Sequence, residues 1–313
     1  MTDARAMIDH EAYERIARAI DPHARCVRVW RLGGGISSEM HAFETKADDG
    51  AMRRFIRRSL SDEALQIDPR ATANEFALLD RLHALGLPVP KPRLLDESLE
   101  RDDKPWLVLD FIDGAPDFNP RAPADFVEGL AEQLAAIHRV TLGPALAFLR
   151  DHVPALARQR ARDARDADVD VARIRRALGD GGELRLRNRP VLLHGDFWPG
   201  NVLWRNDRIV GVVDWENARV GDPLADLAIA RLEMQWLLGA GAVEQLTRAY
   251  RASVEVDIAA LPYWDLDAAL RPAFNLAQWA SGWPEAGRPD VTAARLRAGH
   301  ADFVGRALTA LRS

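Results

Sequence analysis

The stretch His194-Gly195-Asp196-Phe197-Trp198-Pro199-Gly200-Asn201, with Val212-Val213-Asp214-Trp215-Glu216 after it, decides how this chain folds. Four residues separate Asp196 from Asn201, and Pro199-Gly200 between them lets the chain reverse so that both side chains turn toward one point. Val202, Leu203 and Trp204 then begin a strand, and Asn206-Asp207 reads as a hairpin turn. The returning apolar run Ile209 to Val213 delivers Asp214 beside Asn201. One loop and two strand ends therefore gather three oxygen-bearing side chains. Asn201 and Asp214 suit magnesium, which prefers hard oxygen ligands and accepts one or two carboxylates while phosphate and water complete its octahedron.

Phosphoryl transfer is the chemistry that needs such a set, because it asks for positioning and charge neutralisation more than covalent help. At this spacing Asp196 is the catalytic base, set ahead of a metal-binding Asn. An Asp before an apolar run is often only a cap or a turn residue. The joint occurrence of loop, spacing, hairpin and terminal Asp outweighs that plainer account. His194 reads as structural, its ring buttressing the loop.

On these residues the chain resembles the aminoglycoside phosphotransferase and choline kinase-like family, relatives of the protein kinases that phosphorylate small molecules. His194-Gly195-Asp196 stands where protein kinases carry HRD, and Asp214-Trp215-Glu216 matches the family's DxE or DWE element. The GDPLADLA run from Gly221 to Ala228 is a further family-like signature. The resemblance extends from Val27 to the C-terminal helices. It implies an α+β, two-lobed protein-kinase-like fold, with a small antiparallel-sheet lobe carrying a helix over 1–112 and a larger, mainly helical lobe over 113–313 for catalysis and acceptor binding. It also implies ATP or GTP with Mg2+. The acceptor stays open among aminoglycosides, macrolides, choline-like amino alcohols, homoserine and other metabolites.

In the first half, Val27 to Leu60 alternates as a three-strand meander punctuated by glycines. Gly34, Gly35, Ser37 and Ser38 lie at the head of the small lobe, where a glycine-rich hairpin covers a triphosphate in a kinase-like fold. No GKS or GKT follows, which argues against a P-loop. The strand Arg53 to Arg58 should supply the cation for the α and β phosphates. The lysines, Lys46, Lys91 and Lys104, all lie elsewhere. Matched to the family's FVLR-like form, Phe55-Ile56-Arg57 puts Arg57 at the lysine position, with Arg58 the alternative one residue on. Its expected partner is Glu75, in the helical run Ala71 to Leu85. Trp106 to Phe111 reads as a strand entering the interlobe hinge, where backbone groups from Asp110 to Ile112 would meet the purine edge.

The larger half opens with a helix over Ala124 to Arg139 that carries Phe126, Leu130, Leu134 and Ile137 on one face. His138 closes an LAxLH element and reads as a packing residue. Asp222 and Pro223 open a later helix, and the family resemblance implies that Asp222 or Asp226 braces the catalytic loop. The Arg- and Asp-rich run Arg158 to Arg176 reads as one solvated, ion-paired helix. Near the C-terminus, Trp236, Tyr250, Tyr263, Trp264, Trp279 and Trp283 accompany Glu255, Asp257, Asp265, Asp267, Glu285 and Asp290. That mixture suits a cationic amine by charge and ring face, or simply packs the core.

The 313 residues leave room for two lobes, and 28% charged residues with a net charge of −5 give no basic footprint for nucleic acid. Cys26 stands alone, so no intrachain disulfide forms, and a reducing cytoplasm is the simpler setting. The first twenty residues lack a signal-peptide core, and Arg231 and Glu233 break the apolar run Leu227 to Ala242, so no membrane partner is expected. The oligomeric state is not legible. The expected activity is transfer of a γ-phosphoryl group to the hydroxyl of a small molecule. The alternatives are a catalytically silent kinase-like protein that binds nucleotide, and a hydrolase without a true acceptor.

Overall fold

The structure, a computed structural model, describes residues 9–33, 38–99, 102–158, 163, 167–179 and 187–312. The chain divides into two compact units, Met1–Asp113 and Gly114–Ser313.

The first unit opens with helix α1 (His10–Ile20), started by Asp9, whose carboxylate accepts the N–H groups of Glu11 at 3.0 Å and Ala12 at 3.2 Å. Strands β1 (Arg25–Arg31), β2 (Ser38–Lys46) and β3 (Met52–Leu60) form the meander read from the alternation. Helices α2 (Asp62–Ile67) and α3 (Ala71–Ala84) follow, then β4 (Pro92–Asp96) and β5 (Trp106–Asp110). The sheet is antiparallel throughout, in the order β1-β2-β3-β5-β4. Phe43 faces Phe55 across β2 and β3 with ring centroids 5.4 Å apart. With Cys26, Trp106 and Val108 they make a core that α1 covers with Tyr13, Ile16 and Ala17. Helix α3 packs against β3, β4 and β5, burying Leu78, Leu79 and Leu82.

In the second unit, helix α4 (Pro123–His138) buries Phe126, Leu130, Leu134 and Ile137, the face legible in its sequence. Helices α5 (Ala155–Arg158) and α6 (Val171–Leu178) stand at the two ends of the Arg- and Asp-rich run. Much of the helix expected between them lies outside the described residues. Strand β6 (Val191–Leu193) pairs with β9 (Arg219–Gly221), and β7 (Val202–Arg205) forms a hairpin with β8 (Arg208–Val212). Asn206 and Asp207 both take positive φ, +52° and +58°, the left-handed pair that a tight two-residue hairpin requires.

Helix α7 (Leu224–Leu237) is buried round almost its whole circumference, at the centre of a helical layer. Around it lie α8 (Ala240–Ser253), α9 (Leu261–Ala269), α10 (Leu276–Ser281) and α11 (Ala293–Ala310). The main packing pairs are α4 with α8, α7 with α8, α9 and α11, and α9 with α11. No helix among the described residues is long and apolar enough to cross a membrane.

Leu134 is fully buried on α4. Leu134→Ala leaves a cavity that the packed helices close only in part, so chemical unfolding should show a loss of about 2–5 kcal/mol.

Candidate active site

The catalytic loop leaves β6 at His194 and is held from below by α7. Asp226, wholly buried, accepts the backbone N–H of His194 at 2.7 Å on Oδ2 and that of Gly195 at 2.9 Å on Oδ1. Burial and the nearby acids push the Tyr250 phenol upward, so its hydroxyl stays protonated and donates to Nδ1 of His138 at 2.6 Å. The His138 Nε2–H is then left to donate to Asp226 Oδ2 at 3.3 Å. Burial opposes the Asp226 charge, yet the hydrogen bond from His138, with that from the loop N–H of His194, holds its carboxyl below the usual range. Asp222 does a different job, accepting the Leu224 N–H at 3.0 Å to start α7 and bonding Asn188.

Gly195 has φ +81°, and a Cβ there would collide with the Asn217 carbonyl oxygen, so only glycine fits. The His194 ring is buried, with Nε2 3.0 Å from the Val213 carbonyl and Nδ1 3.3 Å from the Asp196 N–H. A carbonyl only accepts, so Nε2 carries the proton and Nδ1 accepts. Burial pushes this imidazole downward, which keeps it neutral. His194 therefore ties the loop to the end of the hairpin.

Asn201 Nδ2 donates to the Asp196 carbonyl at 2.9 Å and to its Oδ2 at 3.2 Å. This fixes which end of the amide is nitrogen and leaves Oδ1 for a cation. The Val213 N–H donates to the Asn201 carbonyl at 2.9 Å, setting Asp214 at the adjoining hairpin end. Asp214 takes φ +66°, ψ +60°, a left-handed backbone costly for a residue with a Cβ and common at functional positions. The described residues hold no cluster of three or more His, Cys, Asp or Glu side chains suited to a metal. One amide oxygen and one carboxylate, a donor set that phosphate and water complete, fit magnesium and not zinc.

Two site residues escaped the sequence reading. Arg271, just beyond α9, donates Nη2 to Asp196 Oδ1 and lies 5.9 Å from the Trp279 ring centroid. Burial works against its charge, but Asp196 and Glu233 outweigh that and push its pKa upward. Glu233, on α7, is buried, which pushes its carboxyl up to about 8; Arg271 pulls the other way and Asp196 adds to the rise. Arg231 and Glu233 registered in the sequence only as breaks in an apolar run. Charges inside a run that is otherwise mostly apolar are a signal of buried pairing, which Arg231 bears out with Asp265 at 2.8 Å. Beside the loop, Phe118 sits 6.0 Å from Trp198 and 5.2 Å from Trp283 by ring centroid. The Trp198 ring lies over Gly200, where a side chain would strike it.

In the first unit the expected Arg57–Glu75 pair is corrected. Glu75, buried on α3, pairs with Arg58, also buried. Arg57 pairs instead with Asp102 at 2.9 Å and lies over Trp106, 4.9 Å from its ring centroid. Phe55 and Arg57 do share a face, but α1 covers that face, while α3 covers the one holding Arg58. Ser38 opens β2 opposite Leu60. Gly34, Gly35 and Ser37 lie outside the described residues. Asp110 ends β5, its carboxylate taking two bonds from Arg93, each 2.7 Å, and its N–H donating to the Lys91 carbonyl. Ile112 lies in the irregular chain after β5. Of the C-terminal acids, Asp257, Asp265, Asp267 and Asp290 bond to Arg187, Arg231, the Ala155 N–H and Arg288.

A five-stranded antiparallel sheet with a buried Arg–Glu pair, and a second, mainly helical unit bearing this Asp, Asn and Asp, define a protein-kinase-like fold. The chain belongs to the phosphotransferase enzyme family, whose family model matches residues 29–264. The aminoglycoside 3'-phosphotransferase of Streptomyces fradiae is 31% identical over 191 residues, 54% of this chain and 70% of that protein. Acyl-CoA dehydrogenase family member 11 of Rattus norvegicus is 25% identical over 235 residues, 68% of this chain; the chain spans only 29% of that relative's length. A thermostable mutant of aminoglycoside phosphotransferase APH(4)-Ia, in ternary complex with AMP-PNP and hygromycin B, superposes with a TM-score of 0.60 at 19% identity, over 95% of this chain and 98% of that one.

Glu233 ionises at 4.5 ordinarily and at about 8 in the fold. The folded chain thus binds an extra proton at this group between those values, so the contribution of Glu233 to stability is fullest below 4.5 and declines as pH rises toward 8. Glu233→Gln should flatten the dependence of thermal midpoint on pH and gain most over the wild type at the alkaline end. An unchanged slope would mean that Glu233 is ionised in the fold.

Proposed function

We propose that this chain is a phosphotransferase that moves the γ-phosphoryl group of ATP or GTP to the hydroxyl of a small molecule. The observation that carries the reading is the set of hydrogen bonds tying Asn201 to Asp196 on one side and to Val213, next to Asp214, on the other. Such bonds would hold a base and two metal ligands in position before any substrate arrives, as a reaction governed by positioning and charge requires. The nucleotide bound in the APH(4)-Ia complex supports the choice of a nucleoside triphosphate donor.

Asp196 accepts the hydroxyl proton as the acceptor oxygen bonds to the γ-phosphorus and the bridging bond to the nucleoside diphosphate breaks. Asn201 Oδ1 and the Asp214 carboxylate would hold magnesium, which would supply neutralisation of the phosphate charge. In the first unit, Arg58, steadied by Glu75, serves as the phosphate cation in place of the usual lysine; its planar fork suits phosphate oxygens. Ser38, with Gly34, Gly35 and Ser37, covers the phosphates, and backbone groups from Asp110 to Ile112 meet the purine.

Asp196→Ala should lower acceptor-stimulated nucleotide consumption by at least about 100-fold while magnesium–nucleotide affinity, measured by calorimetry, stays near the wild type. Full turnover in that variant would defeat the mechanism. Asp214→Ala removes a ligand, so the same calorimetry should show nucleotide affinity losing most of its dependence on magnesium.

A further inference from the structure

Arg271 places a fixed cation against Asp196, and no motif of the chain announced it. A guanidinium offers five N–H donors in a planar fork. Among the described residues the Arg271 side chain makes one hydrogen bond, to Asp196 Oδ1, with the Trp279 ring near its face. Among the described residues the remaining donors meet no protein acceptor, and with 17% of the side chain accessible they stay open to a ligand.

Glu233 does not cancel the charge at neutral pH, because burial keeps its carboxyl protonated up to about 8. Asp196, Arg271 and Glu233 together are therefore close to neutral. An ammonium group brought beside Asp196 would meet the Arg271 charge, and among the described residues Asp265, Asp267 and Asp290 are already engaged elsewhere. A carboxylate or phosphate brought to the same place meets unused donors in the geometry that guanidinium groups bind best.

We propose that Arg271 is the specificity-determining residue of the acceptor site, its unused N–H donors binding an oxyanionic group on the hydroxy compound whose hydroxyl meets Asp196. This rests on the phosphotransferase reading above. The acceptor class is a hydroxycarboxylate or a hydroxyl-bearing phosphate monoester, and amino alcohols are disfavoured. Arg271 also positions Asp196, so its loss acts on turnover as well as on acceptor affinity.

The test is magnesium-dependent release of nucleoside diphosphate by the full chain against four sets of alcohols: hydroxycarboxylic acids, sugar phosphates, amino alcohols with aminoglycosides, and neutral polyols. Wild type, Arg271→Gln, Arg271→Lys and Asp196→Ala are compared, with thermal midpoints confirming folding. The expected result is stimulation by one oxyanionic set, which also separates carboxylate from phosphate. Arg271→Gln should then raise the acceptor KM by about 10- to 100-fold, the loss of a charge-assisted bond. It should also lower kcat, while leaving the nucleotide KM unchanged. Arg271→Lys should recover part of the affinity. Preference for amino alcohols or neutral polyols, no response to either oxyanionic set, or an acceptor KM indifferent to Arg271→Gln overturns the proposal. The phosphotransferase reading fails separately, if Asp196→Ala consumes nucleotide as the wild type does with the best acceptor of any set.

Discussion

The catalytic unit depends on one buried carboxylate. Asp226 takes the backbone N–H groups of His194 and Gly195, two donors that have no strand partner where the loop leaves β6. Orphaned donors at this depth would each cost a fraction of the chain's whole stability. Their satisfaction permits Gly195 to turn through positive φ, and that turn brings the Asp196 N–H onto the His194 ring. The ring in turn holds the Val213 carbonyl, so the loop and the hairpin that carries Asp214 are fastened through one imidazole.

Helix α7 is the element that carries this load. Asp226, Arg231 and Glu233 all lie on it and are all buried, a composition that would be ruinous if any charge stood alone. Each is met differently. Asp226 is answered by His138 and the loop backbone, Arg231 by Asp265, and Glu233 by keeping its proton beside Arg271. The arrangement gives the reacting groups positions set by packed helices, which is how a site reaches the tolerance that phosphoryl transfer requires.

The parts legible in the sequence were those whose cause is local. Asn206-Asp207 makes a left-handed turn from its own chemistry, and the Pro199-Gly200 reversal and the apolar runs on either side fix the hairpin register. The apolar stripe on α4 is visible because its period matches a helix. The failure at Arg57 has a physical reason too. Alternation shows that Phe55 and Arg57 share a face and that Arg58 lies opposite, but a two-residue period says nothing about which helix covers which face. The aromatic core drew α1 to the Phe55 side, leaving Arg58 for Glu75.

By itself, then, the amino-acid sequence determined the kinase-like class, the loop that carries Asp196 and Asn201, and the hairpin that carries Asp214, because spacing and turn chemistry act over a few residues. Only the tertiary structure decided that Arg58 and not Arg57 meets Glu75, that Asp226 and not Asp222 holds the loop, and that Arg271 stands against Asp196 across 75 residues of chain. Those choices are settled by which surfaces bury together. A buried charge takes its partner from whatever the packing brings within reach, and no local pattern names that partner in advance.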